Sequence, residues 1–239
     1  MSLSDLVLAT LAITLGSVVQ AASGVGAGFL MVPLLAFVNL SLVPGPMIFA
    51  SLSLSGIMTW RERGAIDQRH LAPMFIGLVP GCAAGAWTIS VVPTSQLGIV
   101  FAIVILLAIG VSVAGLDVRP GRTSALLAGV VSGTMGASSG IGAPVVALLY
   151  QHASGPQVRS TLALIYTVAS LIVLVMLAAF GRFGEGEALA GLALIPGFLA
   201  GYWIANRLRR RLDHGMTRPV VLGVSGAAAI ALLVRSLGG

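Results

Sequence analysis

Charged residues are scarce in this chain of 239 residues. They make up 8% of it, whereas hydrophobic residues make up 57% and the mean hydropathy is +1.05. A soluble domain carries about 25% charged residues, because its surface faces water. Since one membrane helix takes roughly 20 apolar residues, the chain has room for about eight to ten membrane segments. The composition therefore excludes a soluble protein and predicts an all-α polytopic membrane protein.

The chain also lacks lysine, a second cysteine and a nucleotide-binding motif. Its basic side chains are 13 arginines that lie between apolar stretches, which is typical of topology-setting charge at membrane borders and not of nucleic-acid binding. The single Cys82 excludes an intrachain disulfide. Because no Walker motif is present, ATP-driven transport within the chain is excluded, and we predict no cofactor. Met1–Asp5 contains an acid and no base, so we do not expect a cleaved signal peptide.

Eight apolar stretches follow one another along the chain, and two of them are interrupted by glycine. They cover 6–37, 42–60, 71–91, 96–116, 123–150, 160–180, 188–206 and 219–234. The first and the fifth are about 30 residues long and are broken near the middle, at Ser23–Gly28 and Ser139–Pro144. We call these two segments the first and the second glycine break.

A tandem duplication relates the two glycine breaks. Gly24 and Gly140 are 116 positions apart, and the same offset separates Trp87 from Trp203 in two matching Pro-Gly-x-x-Ala-Gly-x-Trp segments. A register shared over about sixty residues is the signature of an internal repeat. We therefore predict one transmembrane domain in which membrane repeat 1 covers 1–117 and membrane repeat 2 covers 118–239.

The arginines predict that the repeats have opposite orientations. The link after the second stretch carries Arg61, Arg63 and Arg69, whereas the equivalent link in the second half carries only Arg182. Cytoplasmic links are enriched in arginine, so equivalent links with opposite bias indicate inverted-topology repeats.

The same rule predicts the path of the broken stretches. If each crosses the membrane once, seven arginines fall inside and six outside. If each returns to its own side, as a re-entrant hairpin or a pair of short spans, eleven fall inside and only Arg182 and Arg235 fall outside. We therefore predict helical hairpins, about five membrane segments per repeat, and both termini outside.

The glycine breaks are also the predicted binding site. Backbone that leaves a helix inside a bilayer needs protein or a watery cavity beside it. The half-helices that begin near Gly28 and Ala143 offer free N–H groups, and glycine lets an oxyanion approach them. We predict a small oxyanion held by neutral donors, with the substrate-binding residues Gln20, Ser23, Gly24, Gly26, Gly28, Ser138, Ser139, Gly140, Gly142 and Arg159. Two alternatives stay open: the glycines serve only helix packing, and Arg159 is only a border charge.

Other functions were weighed against transport. Gly136-Ala-Ser138-Ser-Gly140 matches a nucleophile pattern, which would make Ser138 the centre of an intramembrane serine hydrolase, but the three histidines lie in or near links. A non-transporting structural membrane subunit would not need duplicated breaks. No acid lies well inside an apolar stretch, so a carboxylate proton relay is not expected. Coupling to the anion gradient, to a proton carried on the substrate or to Na⁺ is left open, as are direction and homo-oligomerisation.

These residues resemble the TauE/SafE sulfite exporter family. The resemblance lies in the first break with Pro33, in the run from Gly133 to Pro144, in the Trp60–Asp67 link and in the paired Gly-x-x-x-Gly segments, and it covers nearly the whole chain. It implies a permease of the bacterial inner membrane, not an enzyme, for sulfite, sulfonates or related small anions. The chain departs from the family where the first break lacks a Gly-Gly-Gly run and where Leu149 replaces the equivalent of Pro33.

Overall fold

Ten α-helices make up most of the part of the chain that a computed structural model describes, which is residues 3–24, 27–212 and 217–238. They are α1 (Leu3–Ser23), α2 (Ala27–Val38), α3 (Gly45–Glu62), α4 (Leu71–Val91), α5 (Leu97–Val113), α6 (Arg122–Ser139), α7 (Ala143–Leu149), α8 (Gly155–Ala179), α9 (Glu185–Leu212) and α10 (Thr217–Gly238). Short 3₁₀ turns lie at Leu40–Leu42, Arg63–Ala65 and Thr94–Gln96. These described residues contain no strand, so the all-α prediction is confirmed.

Several of these helices are built to lie in a membrane. Five are long and apolar enough to cross one by length and composition, namely Leu3–Ser23, Leu71–Val91, Thr94–Val113, Gly155–Ala179 and Glu185–Arg207. Large apolar side chains such as Leu107 and Val175 point outward and are 60% and 64% exposed. Such extensive exposed apolar surface is suited to lipid. The chain is a multi-pass membrane protein.

The helix ends recur at the offset found in the sequence. α1 ends at Ser23 and α6 at Ser139, and α2 begins at Ala27 and α7 at Ala143, so both pairs are 116 residues apart. The following segments differ in length, because α2 has 12 residues and α7 has seven.

The two helix ends are closed by the same local geometry. Gly24 and Gly140 follow α1 and α6 with φ of 78° and 84°, the left-handed conformation that favours glycine. The N–H of each glycine donates to the carbonyl four residues earlier, that of Gln20 or Gly136, at 2.7 Å. The glycine breaks therefore begin as equivalent helix C-termini.

Glycines let α4 and α6 pack backbone to backbone. An ideal Cβ at Gly77, Gly81 or Gly85 would fall on the carbonyl oxygen of Leu126, Val130 or Thr134, respectively. The residue numbers rise together along both helices, so α4 and α6 run parallel. Such small-xxx-small spacing allows the closest approach of membrane helices.

α9 and α1, which correspond to α4 and α6 at the offset of 116 residues, form a similar but less crowded pair. An ideal Cβ at Gly197 would lie 3.1 Å from the carbonyl oxygen of Thr10, and one at Gly201 would lie 2.5 Å from that of Thr14. These helices are also parallel. Each repeat thus packs its fourth helix on the first helix of the other.

The central helices α3 and α8 lie side by side in opposite directions. The hydroxyl oxygens of Thr59, near the end of α3, and Thr167, in the middle of α8, are 3.1 Å apart. At the other end, Gly45 at the start of α3 lies against Phe183, just beyond α8. Equivalent helices of the two halves are therefore antiparallel at the centre of the molecule.

Candidate functional site

A cavity of about 100 Å³ lies where the two glycine breaks meet. An ideal Cβ at Gly28 would lie 3.0 Å from the carbonyl oxygen of Gly140, so the breaks approach each other closely. The volume admits several waters or one small anion. The residues that line the cavity come from both repeats: Gln20, Gly28, Phe29, Met31, Met47, Ile48, Ser51, Ser132, Gly133, Gly136, Gly140, Ile141, Gly142, Ala143, Tyr166, Ala169, Ser170, Val173 and Phe198.

The lining is mostly apolar and carries no charged residue. Its polar side chains are those of Gln20, Ser51, Ser132, Tyr166 and Ser170. Two of them are engaged locally, because the hydroxyl of Ser51 donates to the carbonyl of Ile48 at 2.8 Å and that of Ser132 donates to the carbonyl of Gly142 at 2.9 Å. The cavity therefore offers neutral hydrogen-bonding groups in an apolar surrounding.

The hydroxyl of Tyr166 is the most informative group in the lining. It is buried and has no hydrogen-bond partner among the described atoms. A buried hydroxyl without a partner costs about 1–3 kcal/mol, and such groups in native proteins usually meet water or a ligand. The cavity wall therefore offers a hydroxyl that can bind water or a small polar ligand.

Four of the predicted substrate-binding residues line the cavity, namely Gln20, Gly28, Gly140 and Gly142. Gln20 is 9% exposed, one turn before the first break. Gly142 also packs tightly inside its own hairpin, since an ideal Cβ there would lie 2.6 Å from the carbonyl oxygen of Ser132. At Gly142 the missing side chain therefore serves helix packing as well as the cavity wall.

The predicted serines lie outside the lining. The hydroxyls of Ser138 and Ser139 are buried and donate to the carbonyl of Met135, at 3.2 and 2.8 Å. The oxygen of Ser139 also accepts from the N–H of Ile141 at 3.3 Å, so it holds the backbone of the second break. Ser23 is exposed, and its hydroxyl donates within α1 at 2.8 Å.

Arg159 and Gly24 meet beside the cavity rather than in its wall. Arg159 forms an ion pair with Glu62, with Nε and Oε2 3.5 Å apart and the side chains 13% and 25% exposed. Gly24 lies over this pair, because an ideal Cβ there would be 3.1 Å from the Cα of Arg159. Gly26, the remaining predicted residue, lies outside the described residues.

Sequence reasoning missed four polar residues of the lining. Ser132 lies on α6 before the second break, and Ser51, Tyr166 and Ser170 lie on α3 and α8, away from the breaks in sequence. One signal was available, because a tyrosine in the middle of an apolar stretch needs a partner for its hydroxyl. The serines gave no such signal, since a serine in a membrane helix commonly bonds the preceding turn.

Broken helices around a buried neutral cavity, within a bundle of apolar helices, define the class of secondary membrane transporters. The family model described as Sulfite exporter TauE/SafE matches residues 8–232, nearly the whole chain. The chain belongs to the TauE/SafE sulfite exporter family, whose members are membrane transporters of the sulfite-exporter type, and the resemblance drawn from the sequence is confirmed. No curated protein and no solved structure matches the chain significantly.

Proposed function

We propose that this protein is a permease that moves small oxyanions, such as sulfite, sulfonates or related organic anions, across the bacterial inner membrane. The anion binds in the cavity between the breaks, and alternating access opens this cavity to each side of the membrane in turn, without ATP. The observation that carries this proposal is the unpartnered hydroxyl of Tyr166 in a cavity lined by neutral groups. An anion can accept hydrogen bonds from this hydroxyl and from the side-chain amide of Gln20 at the same time.

Neutral donors suit a transport site because the anion must also leave. A hydrogen bond to a charged group contributes about 1.5–3 kcal/mol, so two such donors give moderate affinity. Conduction and transport require binding that is weak enough for release. The N–H groups at the start of α2, where Gly28 lines the cavity, add the partial positive charge of a helix N-terminus.

The proposed mechanism uses two inverted repeats, 1–117 and 118–239, that open the cavity to one side at a time. The antiparallel packing of α3 on α8 supports this arrangement. The pair α5 and α10 supports it too, because Gly98 at the start of α5 lies against Ser236 near the end of α10. Antiparallel equivalent helices are what an inverted duplication requires.

Contacts of the arginines support the proposed topology, in which both termini are outside. Arg182 donates to the carbonyls of Ser90 and Val92 at 3.2 and 3.0 Å, at the end of α4. Arg235 lies near the start of α5, next to Ser236, so the two arginines assigned to the outside share one end of the bundle. Arg61 instead donates to the hydroxyl of Tyr202 at 3.0 Å, towards the end of α9.

Transport by purified protein in proteoliposomes tests the function. The wild-type protein should exchange labelled sulfite or methanesulfonate across the membrane. Tyr166→Phe should raise the half-saturating concentration about tenfold or more, because one hydrogen bond to the anion is lost. Tyr202→Phe is the matched control, since its hydroxyl meets Arg61 and not the cavity, and it should leave this concentration unchanged.

Two results would count against the proposal. Absence of exchange by the wild-type protein for every oxyanion tried would favour the structural-subunit alternative. Exchange that is equally sensitive to Tyr166→Phe and Tyr202→Phe would remove the cavity from the substrate path.

A further inference from the structure

A line of hydroxyl groups leads from the cavity towards the end of α3. Ser51 lines the cavity, and Ser55 and Thr59 follow at intervals of four residues, which places them on one face of the helix. Ser55 is buried, with 1% of its surface exposed. Its hydroxyl donates to the carbonyl of Ser51 at 3.1 Å, and that of Thr59 donates to the carbonyl of Ser55 at 2.8 Å. Because one residue of helix rises about 1.5 Å, this polar line is about 12 Å long.

Beyond Ser55, two side-chain contacts between α3 and α8 lie at the end of this line of hydroxyls. The first is between Thr59 and Thr167, whose hydroxyl oxygens are 3.1 Å apart. The second is the ion pair of Glu62 with Arg159, at 3.5 Å and largely buried. The line of hydroxyls therefore ends at a pair of opposite charges.

Neighbouring backbone holds Arg159 in place. Gly24 of the first break has a positive φ, and an ideal Cβ there would lie 3.0 Å from Cγ of Arg159. The N–H of Asp67 donates to the hydroxyl of Thr161 at 2.9 Å, which ties the link after α3 to the start of α8. The first glycine break, the end of α3 and the start of α8 thus converge on this ion pair.

The equivalent positions do not repeat this ion pair. At the offset of 116 residues, Glu62 corresponds to Ala178, Thr59 to Val175 and Arg159 to Val43. Only Thr167 has a polar counterpart, Ser51. The charges at this end of α3 and α8 are therefore not explained by the fold that the two halves share.

We propose that Thr59, Thr167, Glu62 and Arg159 form a gate between the cavity and the bundle end where α3 terminates. An anion that passes this gate takes the place of the Glu62 carboxylate beside Arg159. The physical reason is that removing one partner from a buried ion pair leaves the other charge uncompensated, which is strongly unfavourable. Replacement of one anion by another avoids that state at Arg159, and the displaced carboxylate belongs to Glu62, the more exposed of the two side chains, at the end of α3. This inference rests on the proposed transport function.

A reversible cross-link tests whether the gate must open. Thr59→Cys and Thr167→Cys are introduced together with Cys82→Ala, which removes the only native cysteine. Side chains whose oxygens are 3.1 Å apart bring the two sulfurs within bonding reach. Oxidation should form the disulfide and lower sulfite or methanesulfonate exchange at least about tenfold, and reduction should restore it. Each single-cysteine variant should exchange the anion at the same rate before and after the same oxidation.

Charge variants test the exchange of partners at Arg159. The double variant Glu62→Gln/Arg159→Gln removes both charges together, so neither is left unpaired. Glutamine matches the shape of Glu62 and is shorter than Arg159. It should fold, and it should exchange the anion about tenfold more slowly, because the passing anion loses a charge-assisted contact. Arg69→Gln is the control, because Arg69 pairs with Asp67 in the link after α3 but is 85% exposed, and it should have no effect.

The possible outcomes separate the gate from the function. The gate is ruled out if the cross-linked protein exchanges the anion at an unchanged rate. It is also ruled out if oxidation forms no disulfide between the two cysteines. An unchanged rate in the double glutamine variant overturns the role of Arg159. Absence of exchange by the wild-type protein overturns the transport function, and the gate with it.

Discussion

The two glycine breaks begin with the same left-handed glycine turn, at Gly24 and Gly140, but they have different neighbours. After α1, Gly24 turns against the backbone of Arg159, beside the ion pair that Arg159 makes with Glu62. After α6, Gly140 turns against the side chains of Met47 and Val32, which are apolar. The two helices therefore end in the same way, but one break has a charged neighbourhood and the other an apolar one. In the proposed mechanism, the first break supports a gate and the second supports the cavity wall.

The helix pairs α4–α6 and α9–α1 also differ, in how closely the two backbones approach. At Gly81 a Cβ would fall on the carbonyl oxygen of Val130, whereas at the equivalent Gly197 the nearest atoms, in Ile13 and Thr10, would be 3.1 Å away. Equivalent glycines are therefore not equally intolerant of a side chain. Substitutions at matched positions can measure how far the two repeats have diverged.

The largest expected difference is between Gly81→Ala and Gly197→Ala. The first forces two backbones apart, which should destabilise the protein by about 3 kcal/mol. The second asks its neighbours to move by a few tenths of an ångström, at a cost of about 1 kcal/mol or less. The higher helix propensity of alanine, about 1 kcal/mol, acts equally at both sites. Thermal unfolding of both variants in the same detergent measures the difference, and equal losses would show that the two interfaces are alike.

An intermediate difference is expected between Gly24→Ala and Gly140→Ala. Both substitutions place a Cβ at positive φ, which costs about 1–2 kcal/mol. At Gly24 the added Cβ also crowds the Cα of Arg159, which cannot rotate away, whereas at Gly140 it meets the flexible end of Met47. Gly24→Ala should therefore lower the unfolding temperature further. A larger loss for Gly140→Ala would contradict this, and combining it with Met47→Ala would then locate the cause.

The smallest expected difference is between the equivalent serines of the two breaks. Ser139→Ala removes the acceptor of the buried N–H of Ile141 and should cost about 1 kcal/mol. Ser23 is exposed, so Ser23→Ala should stay within about 0.5 kcal/mol of the wild type. The same unfolding measurement applies. A loss at Ser23 as large as that at Ser139 would mean that the first break depends on its serine as the second does.

Much of the helical frame could be predicted because the signals for it are local. Apolar length predicted the helices, and glycine in the left-handed conformation ended α1 and α6 at the predicted breaks. The shorter α7 is also visible in the sequence, because the fifth apolar stretch ends at residue 150, where Gln151 and His152 follow, whereas the first stretch runs to residue 37. What the sequence does not give is how these helices pack on their neighbours.

The candidate site was predictable only in its backbone part. Gln20 and Gly140 were found because they belong to the breaks, but Tyr166 was not. Tyr166 and Ser170 lie one turn apart on α8 and so share a face, but nothing in the sequence shows that this face meets the breaks. Arg159 was recognised, but its partner Glu62 lies in the other half of the chain and is brought to it only by the packing of α3 on α8.

The backbone contact of α4 with α6 joins helices from the two halves of the chain into one packed unit. Gly81 leaves no space between the two helices, so they cannot slide or separate without breaking that contact. In the proposed mechanism, any movement then carries α4, from the first half of the chain, together with α6, from the second, and likewise α9 with α1. The rigid bodies of that mechanism are hybrids of the two halves. Under the proposed inverted duplication, a half-length ancestor would have needed a second copy of itself, inserted the other way up, to complete either body.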